Sequence, residues 1–232
     1  MTDHIDIELA FDSFVRSIGG VVLKNDIADS PSFENADYVL HEQQIVAELK
    51  CLEVNKIDDS VYMGKIDAAW QKWRASGLIT GDTPERIVLN ELPHRCAREL
   101  VALTSLPLKG VIKKANRQIR QTKDTLNLPS YKGLLLLAND GNFALPLNTL
   151  CQLVGGILSG GYTSINCSVV FSVNMVAQLP GVDIPCMVWM PSYRSQAKSI
   201  SPDVMVSIRD GWTAFHEKMT GQTCRRFGDI VV

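Results

Sequence analysis

The run Leu134–Ala138, LLLLA, constrains the fold of this chain most strongly. It is apolar at every position and lacks the polar–apolar alternation of a strand with one face in water. Such a strand must be covered on both faces, as in the centre of a sheet that has helices above and below it. Apolar residues at helical spacing occur before and after this run. The sequence therefore predicts an α/β or α+β fold with a mixed central sheet flanked by helices.

The segment before this run is predicted to be mainly helical from about residue 60 onward. Met63, Ile66, Trp70 and Trp73 share one helical face, a second helix covers residues 94–106, and a third begins near Gly110. We expect residues 1–140 to form a core with a helical insertion at about 55–108. Residues 141–232 are expected to extend the same domain and complete its sheet.

Composition indicates a soluble, cytoplasmic protein. Hydrophobic residues make up 46% and charged residues 21% of the 232 positions, which is average for globular proteins, and no apolar run reaches the ~18 residues typical of a membrane span. The N-terminus is acidic and lacks an apolar segment, which argues against a secretory signal. The cysteines form no C-x-x-C pair and are predicted to be reduced thiols. They are Cys51, Cys96, Cys151, Cys167, Cys186 and Cys224.

The stretch Glu34–Lys50, ENADYVLHEQQIVAELK, contains two further strand-like runs. Alternate side chains of a strand face the same way, so Glu48 and Lys50 share one face of the second run and its other face is apolar. If the runs form a hairpin that turns at residues 42–43, Asp37 lies directly opposite Glu48. Two carboxylates with Cβ atoms ~4.5–5.5 Å apart destabilise a sheet unless a cation compensates for their repulsion.

Mg²⁺ is the cation that this pair would suit, because it prefers oxygen ligands and binds one or two carboxylates together with water and phosphate. We predict Asp37 and Glu48 as ligands for Mg²⁺, with Mn²⁺ as a substitute. Lys50 would stand beside the ion, where it can orient a water or stabilise charge on a phosphate. The alternative is a solvated Glu and Lys on an edge strand, since an acid-x-Lys triplet is expected about once by chance in a chain of this composition.

With its preceding helix and following helix and strand, this arrangement resembles the PD-(D/E)XK nuclease superfamily, the restriction-endonuclease-like fold. The resemblance covers residues 7–140, with Asp37, Glu48 and Lys50 matching the two acids and the lysine, and with Ala36 in place of the proline. It implies a Mg²⁺-dependent nuclease whose core runs helix, three strands, helix, strand. It also implies a helix acid, for which Glu8 and Asp12 are both open, and a supporting glutamine, for which Gln118 is the candidate.

The segment Lys109–Lys123 carries six basic residues and no acid. Positive charge on a helix beside the predicted site would hold nucleic acid, although outward charges are also common on any solvated helix. The predicted contacts with nucleic acid are Lys113, Lys114, Arg117, Arg120 and Lys123.

Three functions stay open at this point. The first is a nuclease, with DNA as the favoured substrate because of the family. The second is an inactive nuclease-like domain that binds nucleic acid or a protein. The third is an unrelated α/β enzyme with its pocket in the C-terminal part. A homodimer is also open, and an exposed apolar sheet face within residues 165–194 would indicate one.

Overall fold

The computed structural model describes residues 4–26, 35–142, 145–174, 187–193 and 200–223. The helices are α1 (Ile7–Ser17), the single turn α2 (Leu23–Asp26), α3 (Ser60–Ala75), α4 (His94–Thr125), α5 (Leu147–Leu158) and α6 (Pro202–Thr220). The strands are β1 (Val21–Val22), β2 (Tyr38–Leu40), β3 (Ile45–Leu52), β4 (Lys132–Asn139), β5 (Cys167–Phe171) and β6 (Trp189–Tyr193). Short 3-10 turns lie at Lys56–Asp58 and Leu89–Glu91.

The described strands form one mixed sheet in the order β1-β2-β3-β4-β5-β6. Strands β1, β2 and β3 are antiparallel neighbours, β3, β4 and β5 are parallel, and β6 returns antiparallel to β5. The α/β class and the mixed central sheet flanked by helices are therefore confirmed. The parallel step from β3 to β4 requires a long crossover, and α3 with α4 provides it.

The centre of the sheet is buried on both faces, as the apolar run of β4 predicts. Leu134 and Leu136 pack with α1 and α6 residues in one core cluster, while Leu135 and Leu137 pack with α4 and α5 in another. Alternate side chains of one strand thus enter two separate cores. This arrangement gives the sheet one helical layer on each side.

The hairpin of β2 and β3 has the predicted register. Tyr38 pairs with Ala47 and Leu40 with Ile45, so one step beyond the ladder brings Asp37 opposite Glu48. Gln44 closes the connection with a φ of 53°. This left-handed conformation is uncommon for a residue other than glycine, and here a single residue adopts it at the end of a turn.

The crossover differs from the prediction, because residues 94–106 and the segment from Gly110 form one continuous helix, α4. Pro107 lies inside it. Proline removes one helical hydrogen bond, which made a break the natural expectation. In the structure the helix continues because its second half packs on the sheet and its first half packs on α3, and packing outweighs the local cost of proline.

The part of the crossover that projects from the sheet has a core of its own. Six buried residues of α3 and α4 form it, namely Ile66, Ala69, Trp70, Trp73, Cys96 and Leu100. The indole nitrogen of Trp73 donates to Glu99 at 2.9 Å, so this buried ring has its polar group satisfied.

Two further findings concern the described ranges. None of their helices combines the length and apolar character needed to cross a membrane. Their four cysteines are free thiols, namely Cys51, Cys96, Cys151 and Cys167. Cys186 and Cys224, predicted to be reduced, lie outside the described residues.

Candidate active site

Glu48 lies in the middle of β3, on the face that packs against α4. Val46, two residues earlier on the same face, belongs to the core cluster of α4 and α5. The Glu48 side chain is 0% exposed, and its Oε1 forms an ion pair with the ammonium of Lys50, which is 23% exposed. A carboxylate in the apolar interior is costly, so its position beside an ammonium requires an explanation.

Asp37 immediately precedes β2 and stands next to Glu48. Its Oδ2 accepts a hydrogen bond from the backbone N–H of Leu49 at 2.8 Å. This bond fixes the carboxylate against the β3 backbone, beside the residue that the hairpin register places opposite it. The structure thus brings together Asp37, Glu48 and Lys50, as the sequence predicts.

Both carboxyl groups have raised pKa values. Burial first and the Asp37 carboxylate second raise the pKa of Glu48, Lys50 opposes the shift, and the resulting pKa is about 8. Burial also raises the pKa of Asp37, while the Leu49 N–H and Lys50 lower it. The single ammonium therefore does not offset the burial of two acids, and the pair would gain from a second positive charge.

A divalent metal ion fits this donor set. Oε1 of Glu48 is paired with the Lys50 ammonium, and Oε2 has no hydrogen bond of normal geometry within the described residues, although the Asp37 N–H lies close enough to lower the pKa of Glu48. Buried oxygens without such bonds are rare in proteins and are available as hard-ion ligands. The described ranges contain no cluster of three or more His, Cys, Asp or Glu residues placed to hold a metal. A two-carboxylate Mg²⁺ site needs no third protein acid, because water and phosphate supply the other ligands.

Gln118 and Thr122 of α4 support this site through the backbone that leads into Asp37. Gln118 is buried, and its Nε2 donates to the carbonyl of Asn35 at 2.9 Å. Thr122 Oγ1 accepts from the N–H of Ala36 at 2.7 Å. Gln118 makes no hydrogen bond to Lys50 in the described part of the chain, so its observed role is to position the strand entering the site.

A second acid–lysine pair lies on the opposite, α1 side of the sheet. Asp12 is 3% exposed, its Oδ1 accepts from the hydroxyl of Tyr38 at 3.0 Å, and its Oδ2 lies 2.8 Å from the ammonium of Lys24. Glu8, the other helix acid, is exposed and 3.9 Å from the same ammonium. Burial lowers the pKa of Lys24, but the Asp12 carboxylate more than offsets this, so the pKa of Lys24 is raised.

Sequence reasoning did not identify Lys24. It follows the short strand β1, and the N–H of the preceding Leu23 donates to the carbonyl of Asp37 at 2.8 Å. Through its neighbour Leu23, this bond holds Lys24 close to Asp37. The position of Lys24 near the site follows only from the pairing of β1 with β2. A strand of two residues is too short to be predicted from the alternation of apolar residues.

The basic segment of α4 is mostly solvent-facing. Lys113, Lys114, Arg117 and Arg120 are exposed, as expected from the apolar stripe on the other side of the helix. Lys123 is half-buried, and its burial and the neighbouring Lys132 lower its pKa. The four exposed residues are accessible to a polyanion.

A cleft of about 220 Å³ lies at the C-terminal end of β3, and its lining residues on this strand come just after Lys50 in the sequence. Its walls come from the end of β3, the turn after it, α3, the middle of α4 and the segment after β4. Ligands of open α/β sheets frequently bind just beyond the carboxyl ends of the parallel strands.

The acid pair, the lysine and the adjacent cleft together describe a candidate catalytic centre. Comparisons with protein-family models, curated protein sequences and solved structures gave no match to this chain. The family resemblance stays a prediction that rests on Asp37, Glu48 and Lys50.

Proposed function

We propose that this protein is a Mg²⁺-dependent nuclease that hydrolyses phosphodiester bonds in nucleic acid, with DNA the favoured substrate. The observation that carries the proposal is the buried carboxylate of Glu48, which lies beside Asp37 and is paired through one oxygen with Lys50, the only ammonium that contacts it among the described residues. Titratable groups whose pKa is shifted by burial together with a specific charged partner cluster at catalytic sites.

The order of elements supports the proposal. Helix α1, strands β1 to β3, helix α4 and strand β4 follow the order that the restriction-endonuclease-like core implies. Asp37 immediately precedes the second strand of that series, and Glu48 and Lys50 lie on the third. Fold analogy alone is a weak argument for function, so the site remains the main support.

The proposed chemistry assigns a role to each residue. Asp37 and Glu48 would hold the metal ion, which would supply Lewis-acid stabilisation of charge on the scissile phosphate. The Lys50 ammonium, which is partly exposed, would donate hydrogen bonds to the attacking water or to a phosphate oxygen. Gln118 and Thr122 would maintain the geometry by fixing the backbone before Asp37.

Cleavage of plasmid and single-stranded DNA by the full-length protein, in Mg²⁺ or EDTA, tests the proposal. We expect cleavage in Mg²⁺ and none in EDTA. Glu48→Gln and Lys50→Met should each lower the rate by ~100-fold or more, because each removes a group that acts on the reacting phosphate or water. Glu42→Gln, an exposed acid in the turn of the same hairpin, is the matched control and should retain activity.

Two outcomes would contradict the proposal. Cleavage that survives both site substitutions would place the chemistry elsewhere or in a contaminant. Binding of DNA by the wild type without cleavage under any metal condition would favour the alternative of a nuclease-like domain that only binds.

A further inference from the structure

We propose that the cleft at the end of β3 binds one nucleobase of the strand being cut, so that the substrate is single-stranded or has an unpaired segment at the site. This inference rests on the proposed nuclease function and adds the substrate class. Its residues are Cys51, Leu52, Glu53, Val54, Lys56, Tyr62, Thr104, Pro107, Leu108, Val111, Asn142 and Leu145.

The cleft begins just after the candidate active site on β3, although Asp37, Glu48 and Lys50 do not line it. Leu52 lines it and lies two residues after Lys50 on the same face of β3. Two residues of a strand span about 6.6 Å, so a group in the cleft and a phosphate at Lys50 can belong to the same nucleotide or to adjacent ones. A strand held at the site therefore has a base within reach of the cleft.

The lining suits a flat heterocycle. Pro107, Leu108 and Val111 of α4 form one apolar wall, and Leu52 and Leu145 contribute from the sheet side. The volume of about 220 Å³ corresponds to the liquid volume of roughly seven waters, which is enough for one base but small for a larger ligand.

Three polar side chains of the cleft are bonded within the protein, and the exposed Glu53 adds a carboxylate to the lining. The Tyr62 hydroxyl donates to Thr104 Oγ1 at 3.1 Å, and Thr104 in turn donates to the carbonyl of Leu100 at 2.9 Å. The Lys56 ammonium is paired with Asp59 at 3.0 Å. Recognition would therefore depend on apolar and stacking contacts, which all bases can make, and the cleft should show little sequence preference.

The cation of the candidate site that lies nearest to the cleft along the chain is Lys50, two residues before the lining residue Leu52. The exposed Lys109 and Lys113 of α4 project from the side of the helix opposite Leu108 and Val111, so they do not line the cleft. A base cannot enter a protein pocket while it remains stacked and paired in a duplex, and for this reason an unpaired strand is the expected substrate.

Exposed apolar residues mark the same region. Val54 lines the cleft and is 60% exposed, while Ile57 and Val61 are 54% and 68% exposed beside the lining residues Lys56 and Tyr62. Large apolar side chains that stay in water near a cleft are typical of binding surfaces.

The experiment measures binding of the full-length protein to a fluorescent oligothymidine in EDTA, so that no cleavage occurs. In a series of oligonucleotides, one base at a time is replaced by an abasic site. For the wild type, we expect one position at which the abasic site weakens binding by about tenfold, because the stacking of one base is removed.

Two variants test whether the cleft causes this effect. Val111→Trp fills the cleft, and Val54→Asp places a charge at its exposed edge without a change in the core. Both should bind the abasic series uniformly. The comparison variant Lys109→Ala should weaken binding to every member and keep the dependence on position.

Equal binding of all abasic oligonucleotides by the wild type, or no binding at all, would overturn the proposal. Persistence of the positional effect in both Val111→Trp and Val54→Asp would do the same. Cleavage is measured in parallel with Mg²⁺. Cleavage without a positional effect would contradict only the proposal that the cleft binds a base. A positional effect without cleavage would contradict only the proposal that the protein is a nuclease.

Discussion

Glu48 is the residue on which the proposed chemistry depends most. Because it is buried, its ionisation makes the stability of the fold depend on pH. Folding raises its pKa from an ordinary 4.5 to about 8, so the folded protein holds a proton that the unfolded chain releases. A group of this kind contributes stability that is fully present below the unfolded pKa and is lost as the pH rises through the folded value.

The first prediction follows from this linkage. Between pH 5 and pH 9, the free energy of unfolding of the wild type should fall by on the order of a few kcal/mol because of Glu48. Glu48→Gln should remove most of that fall, whereas Glu42→Gln should leave it unchanged. Urea denaturation across this pH range measures it, and identical pH profiles for the wild type and Glu48→Gln would show that Glu48 is not buried as an acid.

A second prediction compares the two acids of α1. Asp12→Ala should lower the free energy of unfolding by about 1–3 kcal/mol, because the buried hydroxyl of Tyr38 loses its partner and the ammonium of Lys24 loses its nearer one. Glu8→Ala, one turn away and exposed, should change it by less than about 0.5 kcal/mol. Equal effects of the two substitutions in chemical denaturation would contradict the structural role given to Asp12.

Strand β4 depends on a close approach of another backbone segment near its start. A Cβ at Gly133 would collide with the backbone carbonyl of Ser164, and Gly133 exchanges hydrogen bonds with Asn166 at 2.7 and 2.8 Å. The chain before β5 thus lies directly against this glycine. Only a residue without a side chain allows that contact.

The third prediction uses this contact. Gly133→Ala should lower the free energy of unfolding by about 1–3 kcal/mol through overpacking. Gly155→Ala, in the interior of α5 with open space around its Cβ position, should instead raise it by about 0.5–1 kcal/mol through helix propensity. Thermal unfolding of both variants checks the opposite signs, and a neutral Gly133→Ala would show that the two segments can separate.

Some features of the secondary structure could be predicted from the sequence and others could not. The hairpin register was predictable because strand side chains alternate and both runs have a clear apolar face, and the pairing of Tyr38 with Ala47 confirms it. The continuity of α4 through Pro107 was not predictable, because tertiary packing outweighs the local preference.

The same limit applies to the site. Asp37, Glu48 and Lys50 could be grouped from strand geometry alone, since all three lie in one hairpin. The partners of Asp12 and Gln118 could not, because Lys24 and the carbonyl of Asn35 are brought to them by contacts between separate elements. From the sequence alone, a buried polar residue of an amphipathic helix cannot be told from a polar residue at the edge of the apolar face. Its hydrogen-bond partner identifies it as buried.

The complete chain distributes its charge unevenly, with a net charge of -2 but six cations and no acid between Lys109 and Lys123. A polyanion would be attracted to α4 in spite of the net negative charge, because local fields act over about 10 Å at moderate ionic strength. Binding through these cations would release counterions and weaken with salt.

The fourth prediction concerns this salt dependence. The double variant Lys113→Ala/Lys114→Ala should bind a single strand more weakly, and the slope of log affinity against log salt should decrease by about 0.7 for each phosphate that the variant no longer neutralises. The control Lys65→Ala/Lys218→Ala removes two exposed cations outside α4 and should keep the wild-type slope. Equal slopes for all three proteins would exclude α4 as the nucleic-acid surface.

The central claim is that Asp37 and Glu48 form one metal site, and calorimetric titration of the full-length protein with Mg²⁺ tests it most directly. At neutral pH we expect binding that releases protons, because metal must displace the proton from Glu48, whose pKa is about 8. Asp37→Asn and Glu48→Gln should each weaken binding by at least about tenfold, and the rise of affinity with pH up to about 8 should be lost in Glu48→Gln, which no longer has the titrating group. Absence of Mg²⁺ binding in the wild type, or equal affinity in the wild type and both variants, would contradict the account.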